Sequence, residues 1–463
     1  MKKRRLWRCL LSLTLTILLA LGGGIQVFAF EDDDEDDEEY VPGEVVVKLV
    51  HPGDLPGVAI DYDLDPTPLG QFGARPIYRL RILDGAPPPR KAEALRQDGR
   101  VLYAEPNYIH QAPEGQQRVS WARGGSSDEY AGQWAGAFIG LPAAHTITQG
   151  AGVIVAVLDT GVDRTHPLLA DRLLPGWDFV DMDDDPSEVG VAGEDLLYGH
   201  GTHVAGLVAL AAPEAQILPV RVLDRNGVGN VWVLAEALAY AVNPDGDLNT
   251  ADGAHIINLS LSTLRRTDLL DEILEDIICS DDDDDDDDDD NDDDCLAGRG
   301  RGAVVIAAAG NRASIRPEYP AAEAQPGLLA VAANTEADAL ASFSNHGPWV
   351  HVAAPGDRIL SSVPGAAYGV WSGTSMAAPL VAGQAALVRA AHPNWTPHQV
   401  AKRIRVTASG PSGEPPRIDA AAALGLPPTQ RPSPPEEDPG GDGDNNVAPP
   451  HLSLRCYLPA IVR

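Results

Sequence analysis

Four short stretches of this chain carry side chains able to do chemistry together. "YGHGTHVAG" (198–206) holds His200 and His203 among glycines and small residues, and "WSGTSMAAP" (371–379) holds Ser375 at the start of a small-residue helix. "VIVAVLD" ends on Asp159, and "AAAGN" ends on Asn311. Two histidines three apart suit either a metal or proton transfer. A metal would need further ligands, and no Cys/His cluster has zinc spacing. A serine at a helix start is most often an N-cap. Here Gly373 allows close backbone approach, and a helix N-terminus offers N–H donors and positive potential to a developing oxyanion. Ser375 cannot activate itself at neutral pH and needs a base. One of the two histidines could supply it, with Asp159 orienting the ring. The chain order Asp, His, Ser is one of the known orders of that triad.

Positioning such residues requires a rigid frame. From about residue 133 apolar runs recur as "GVIVAVLD", "QILPVRVL", "HIINLSL", "AVVIAAAGN", "GLLAVAAN" and "WVHVAAP". They are nearly continuous, which predicts strands buried on both faces of a parallel sheet. "VWVLAEALAYAV" and "TDLLDEILEDII" lie between them and read as helices, making a βαβ series. Ligands of such sheets bind beyond the carboxyl ends of strands, where Asp159, Ser260 and Asn311 fall. Upstream, "GEVVVKLV", "PIYRLRIL" and "VLYAEPNY" read as strands with "RKAEALRQ" helical between the last two, a small α+β unit over 40–112. Residues 113–132 are polar and Gly/Ser-rich, the composition of an exposed, cleavable linker.

The segments "VLDTGVD", "HGTHVAG", "AAAGN" and "SGTSMAAP", in that order, closely resemble the signature blocks of the subtilisin-like serine proteases. The resemblance covers about 133–425. It implies a three-layer α/β fold with a mostly parallel central sheet, and a secreted endopeptidase that cleaves peptide bonds through an acyl-enzyme. It assigns the base to His200, its orientation to Asp159 and the nucleophile to Ser375. The amide of Asn311, with the Ser375 backbone N–H, would form the oxyanion hole. His203 is left as a packing or hydrogen-bonding residue of the same helix. Met376, beside the nucleophile, makes activity sensitive to oxidation. "NLSLS" (258–262) and "NGVG" (226–229) resemble the two strands that pair with substrate backbone, placing Ser260, Leu261, Gly227 and Gly229 in the binding cleft. Ser262 stands where glycine is usual and narrows the S1 mouth. Glu318 falls near the floor of that pocket, where a carboxylate would favour Lys or Arg at P1. Otherwise it faces solvent or pairs with Arg312 or Arg316. No cofactor is implied for the chemistry.

The same resemblance makes 40–112 an inhibitory propeptide, a ferredoxin-like α+β module acting as intramolecular inhibitor. Processing falls within 113–132, with Arg118 and Arg123 as candidate sites if P1 is basic. The peptidase domain then spans 133–426, with an acidic insertion at 280–294. Residues 1–29 join a cationic start, an apolar run and "VFA", as a secretory signal does, ending at Ala29. That predicts a secreted or extracellular protein, or one held at the cell surface. No later stretch is apolar for long enough to span a bilayer. Residues 30–39 form an acidic linker. Residues 427–450 are Pro/Gly/acid-rich and read as disordered, and 451–463 is a short tail of unassigned role.

Of 68 acidic residues, nine fall in 31–39 and thirteen in 281–294, leaving 46 against 34 bases. The remainder is an ordinary acidic globular protein, with no basic face for nucleic acid. A monomer acting on polypeptides is expected. Cys279 and Cys295 bracket the aspartate run, and a disulfide there would staple its base. Calcium could contribute stability. The family's strong calcium loop is absent, since the helix after His200 runs straight into the next strand and Leu168 stands where an acid is expected. Leu380, where histidine is frequent, is a packing change. "DGDLNTADG" spaces Asp245, Asp247, Asn249 and Asp252 like a weak calcium loop, lacking the sixth-position glycine. Two rival readings remain: a catalytically silent peptide-binding scaffold, and an adhesion protein whose aspartate loop adsorbs ions or mineral.

Overall fold

Each apolar run anticipated as a strand forms one, and the reason lies in its burial. The computed structural model describes residues 40–117, 122–247, 249–279, 296, 302–410 and 413–430. The expected signal, the acidic linker, the aspartate run and the C-terminal tail lie outside the described residues. Through the small N-terminal unit run β1 (Tyr40–Leu49), α1 (Leu55–Asp61), β2 (Gly70–Gln71), β3 (Ile77–Arg81), α2 (Pro88–Leu95) and β4 (Val101–Gln111). Its strands pair antiparallel in the order β2-β3-β1-β4, a β-α-β-β-α-β arrangement. Alternation along β1 divides its side chains between two cores. Val45, Val47 and Leu49 pack with Leu80 and Leu95 in a core of the unit's own. Val46, with Phe72 and Ile77, joins the large core of the following domain.

After β4 come α3 (Pro113–Gln117), β5 (Ala122–Arg123), β6 (Ile154–Asp159), β7 (Trp177–Asp178), α4 (His200–Ala211), β8 (Gln216–Arg221), β9 (Val228–Asn230) and α5 (Val231–Val242). The chain continues through β10 (Ile256–Leu259), α6 (Asp268–Ile278), β11 (Val304–Ala308), β12 (Leu328–Asn334), β13 (Val352–Pro355), β14 (Ile359–Val363), β15 (Ala367–Trp371), α7 (Thr374–Ala391) and α8 (Pro397–Thr407). Seven strands form one parallel sheet in the order β13-β12-β11-β10-β6-β8-β7. Every residue of β6, β10, β11, β12 and β13 is buried, as continuous apolar runs require.

Helices cover both faces. α7 packs on β10–β13 and on α4, and its residues from Thr374 to Arg389 are all buried. Gly383 permits that approach, because a Cβ there would run into Ala211 of α4. α5 and α6 begin where "VWVLAEALAYAV" and "TDLLDEILEDII" predict, with Asn230 and Thr267 as N-caps accepting from Val233 N and Leu270 N.

The N-terminal unit docks on α6 by charge and capping. The Glu105 carboxylate accepts from the backbone N–H groups of Asp268 (2.8 Å) and Leu269 (3.2 Å) at the helix start. Lys48 and Arg75 reach Glu272 at 2.7 and 3.2 Å, and Arg75 also pairs with Asp276.

Candidate active site

Asp159 closes β6, His200 opens α4 and Ser375 is the second residue of α7, so three separate elements deliver the three side chains to one point. All three are buried. His200 Nδ1 lies 2.6 Å from Asp159 Oδ1, whose position is held by the Thr160 N–H at 2.8 Å. Trp371 stands edge-on to the imidazole at 5.1 Å between ring centres. Asn311 follows β11, and its Oδ1 accepts from Thr374 N (2.9 Å) and Thr374 Oγ1 (3.0 Å). Those bonds fix the amide so that Nδ2 points at the space beside Ser375.

That space is filled by a residue of the chain itself. Glu114, at the second position of α3, is fully buried with its carboxylate between the three groups. Its Oε2 accepts from Ser375 Oγ at 2.7 Å and lies 3.0 Å from His200 Nε2. Its Oε1 accepts from Asn311 Nδ2 at 2.9 Å. Gly373 makes room, since a Cβ there would overlap Glu114 Oε1. Burial opposes charge on both partners. Even so, the Asp159 and Glu114 carboxylates push His200 up to about 10, and His200, Ser375 and Asn311 hold Glu114 below the usual carboxylate range. The pair is therefore an imidazolium clamped between two carboxylates. In that state His200 has no lone pair with which to take a proton.

The preceding residues enter by strand addition. β4 pairs antiparallel with β9, with Ile109 opposite Asn230, His110 opposite Gly229 and Gln111 opposite Val228. Gln111 exchanges both backbone bonds with Ser262 (2.9 and 2.8 Å), and Ala112 N donates to Gly227 O at 2.9 Å. The chain is thus held in the cleft lined by "NLSLS" and "NGVG" and then turns at Pro113 into α3. Gly227 and Gly229 stand against it. On the other strand the pairing is made by Ser262. The Ser260 hydroxyl donates to Ser375 O at 3.3 Å, and Leu261 is buried in the core.

The expectation that 113 onward is an exposed linker is corrected at its start. Residues 112–114 are buried, because the cleft takes the strand and Pro113 diverts the chain into the site. Farther along, Arg123 and Ala122 pair with Gly369 and Val370 of β15. Residues 118–121, including Arg118, lie outside the described residues.

Glu318 is buried beneath Ser262, whose Oγ donates to Oε2 at 2.6 Å. Asn345 Nδ2 donates to Oε1 at 2.8 Å, and Arg312 Nε lies 3.4 Å from the same oxygen. Of the alternatives for Glu318, it does not face solvent, and it does pair with Arg312. His203 lies outside the cluster, with Nε2 against Ile359 O (3.2 Å) and Gly369 O (3.1 Å). Burial, reinforced by the nearby His200 charge, pushes it down to about 3, so it stays neutral. Asp245, Asp247, Asn249 and Asp252 sit in an exposed loop closed by its own turns. Asp245 accepts from Asp247 N, Asp247 from Asn249 N, and Thr250 Oγ1 donates to Asp245 and Asp252. Among the described residues no group of three His, Cys, Asp or Glu could hold a metal ion. Cys279 is disulfide-bonded, and Cys295 lies outside the described residues.

A carboxylate, an imidazole, a hydroxyl and an amide converging beyond the carboxyl ends of a parallel sheet define a hydrolase-type nucleophile site. The family model for the subtilase family (Peptidase_S8) matches residues 150–441, and the chain belongs to that family. It is 38% identical over 312 residues to the thermophilic serine proteinase of Bacillus sp. (strain AK1), covering 64% of this chain and 65% of that protein. Thermitase of Thermoactinomyces vulgaris is 36% identical over 260 residues, 54% of this chain and 79% of thermitase. This chain thus spans just under two thirds of the Bacillus proteinase. Among solved structures, fervidolysin of Fervidobacterium pennivorans, a keratinolytic enzyme related to subtilisin, superimposes with a TM-score of 0.65 at 23% identity. That match covers 85% of this chain and 62% of fervidolysin, a likeness of fold.

Proposed function

We propose that this chain is a secreted serine endopeptidase made as a self-blocked precursor. The supporting observation is the convergence of Asp159, His200, Ser375 and Asn311 on a single point, itself occupied by a carboxylate that all but Asp159 contact. Once Glu114 leaves, neutral His200 accepts the Ser375 Oγ proton as Oγ bonds to the substrate carbonyl carbon. The resulting oxyanion sits where Glu114 Oε1 lies, against Asn311 Nδ2 and the N-terminus of α7. His200 then hands its proton to the leaving amine as the C–N bond breaks. Water, deprotonated by His200, attacks the acyl-enzyme, and collapse of that second intermediate returns the proton to Ser375. Asp159 keeps the ring in register and stabilises the imidazolium throughout. No cofactor enters these steps, and calcium near Asp245–Asp252 would act on stability only.

Polypeptide substrates would bind as residues 109–112 do, by backbone pairing with Ser262 and Gly227, leaving side-chain choice to the pockets. Glu318 beneath Ser262 supports Lys or Arg at P1 if the incoming cation displaces Arg312. The 40–112 unit acts as intramolecular inhibitor, and self-processing follows in 113–132. Export rests on the leader read from sequence, and no described helix is long and apolar enough to cross a membrane.

The test is a fluorophosphonate probe on the secreted wild type beside Ser375→Ala, followed by intact mass. Labelling and loss of residues up to a point within 113–132, both absent in the variant, support the proposal. Two full-length, unlabelled, folded proteins would refute it and favour the silent scaffold.

A further inference from the structure

The loop between β7 and α4 brings one more acid to the catalytic pair without touching either member. Glu188 turns its carboxylate toward the start of α4. Its Oε2 accepts from Thr202 Oγ1 (2.5 Å) and Thr202 N (3.1 Å), and its Oε1 accepts from Thr160 Oγ1. Thr160 follows Asp159, and Thr202 lies two residues after His200. The Thr160 hydroxyl oxygen also accepts from Gly201 N at 2.9 Å, and Thr202 Oγ1 accepts from Asp163 N at 2.9 Å. One carboxylate therefore joins the turn that carries Asp159 to the helix turn that carries His200.

The loop is itself anchored at that turn. Val162 N donates to Pro186 O at 3.0 Å, and Gly161, at φ +112°, passes so close to Ser187 O that a Cβ would stand 2.6 Å from it. A carboxylate at a helix N-terminus is favoured by the N–H groups it satisfies. An ordinary cap would need only Thr202. The bond to Thr160 is the observation a capping role does not explain, because it points away from the helix, at the Asp159 turn.

We propose that Glu188 is a positioning residue for the triad, setting the Asp159–His200 register by clamping the two backbone segments that bear them. The catalytic pair depends on a 2.6 Å contact between side chains from different elements, and misplacement on the ångström scale costs on the order of 100-fold in rate. Glu188 supplies the shared acceptor that removes this freedom. The inference rests on the protease reading.

The test uses the full chain carrying Glu188→Ala, Glu188→Gln or Thr160→Val. For Glu188→Ala the expected result is a fall in kcat on the order of 10- to 100-fold with KM within about twofold. Glu188→Gln keeps an acceptor for Thr202 and can still hold Thr160 Oγ1 by donating to it instead of accepting from it, so the bridge survives and most of the rate should be recovered. Thr160→Val should lose rate, and less so when Glu188 is already Ala, because both act through one clamp. A second readout is independent of turnover: in Ser375→Ala chains held well below their unfolding temperature, the low-field proton resonance of His200 Nδ1–H should shift or broaden with Glu188→Ala. If Glu188→Ala does not fold, Glu188→Gln and Thr160→Val decide. Unchanged kcat and an unmoved resonance in the folded variants overturn the proposal, as does a loss confined to KM or to stability. If the wild type neither turns over substrate nor labels, the protease reading has failed, and the resonance alone judges Glu188.

Discussion

Replacing Glu114 should unlock the precursor, and the structure sets the scale. Its carboxylate accepts bonds of 2.7 to 3.0 Å from Ser375, His200 and Asn311, one of them across a charged pair. Hydrogen bonds to charged groups contribute about 1.5–3 kcal/mol each. Glu114→Ala removes all three, but water returns to Ser375 and Asn311 when the cleft opens. Counting only two bonds at the lower end gives about 3 kcal/mol, or on the order of 100-fold in the ratio of closed to open site. Glu114→Gln keeps one acceptor oxygen and loses the charge, so it should fall between. The assay is the second-order rate of fluorophosphonate labelling of freshly refolded, uncut chain, followed alongside the half-life of the precursor. Glu114→Ala should label about 100-fold faster and mature sooner. Thermal unfolding of each variant combined with Ser375→Ala shows whether the N-terminal unit remains docked. Equal labelling rates and half-lives for wild type and Glu114→Ala, both docked, would refute the idea that this carboxylate closes the site.

The block should also depend on pH with a definite sign. His200 is raised from 6.5 to about 10, so its contribution is full below 6.5 and lost as pH rises through 10. Glu114 is lowered from 4.5, so its contribution is full above 4.5 and lost as pH falls through its lowered value. Precursor labelling should be slowest between about 4.5 and 6.5 and should accelerate as pH rises toward 10; a flat profile would contradict the ion pair. Glu105→Ala removes the carboxylate at the α6 start and should weaken docking of the N-terminal unit by about 1–2 kcal/mol, read as a raised inhibition constant when the unit is added in trans. Arg312→Ala should free Glu318 and raise the preference for Lys or Arg at P1, while Glu318→Gln should lower it; P1 profiling of both against wild type checks the pair.

Much of the frame was legible because burial on both faces leaves an unbroken apolar run, and six such runs became parallel strands. Two helices were legible too, as the segments "VWVLAEALAYAV" and "TDLLDEILEDII" between strands; their N-caps, Asn230 and Thr267, emerge only in the structure. Glu114 was not, for a physical reason. "QAPEGQQ" is polar and Gly-containing, and composition alone makes such a stretch an exposed tether. A useful signal was there in Pro113, which must turn an extended chain, directly before an acid. Glu188 was hidden similarly in "DMDDDPSEVG", where one half-buried acid is indistinguishable from its solvated neighbours. Ser260 and Leu261 lie just past the end of β10, and it is Ser262 that bonds to the entering chain; which residue of such a segment does so depends on register, which a one-residue offset changes completely.

What the sequence alone determined is the set of local decisions: periodicity, and the residue types Asp159, His200, Asn311 and Ser375 in order along the chain. Those follow from near neighbours and from which faces must be dry. Only the tertiary structure decided what stands in front of Ser375, because that is set by a residue 261 positions away in the chain folding back onto it. It also decided the charge state of His200. An isolated imidazole titrates near 6.5; burial opposes its charge, and only the approach of two carboxylates from distant elements outweighs that and moves it to about 10.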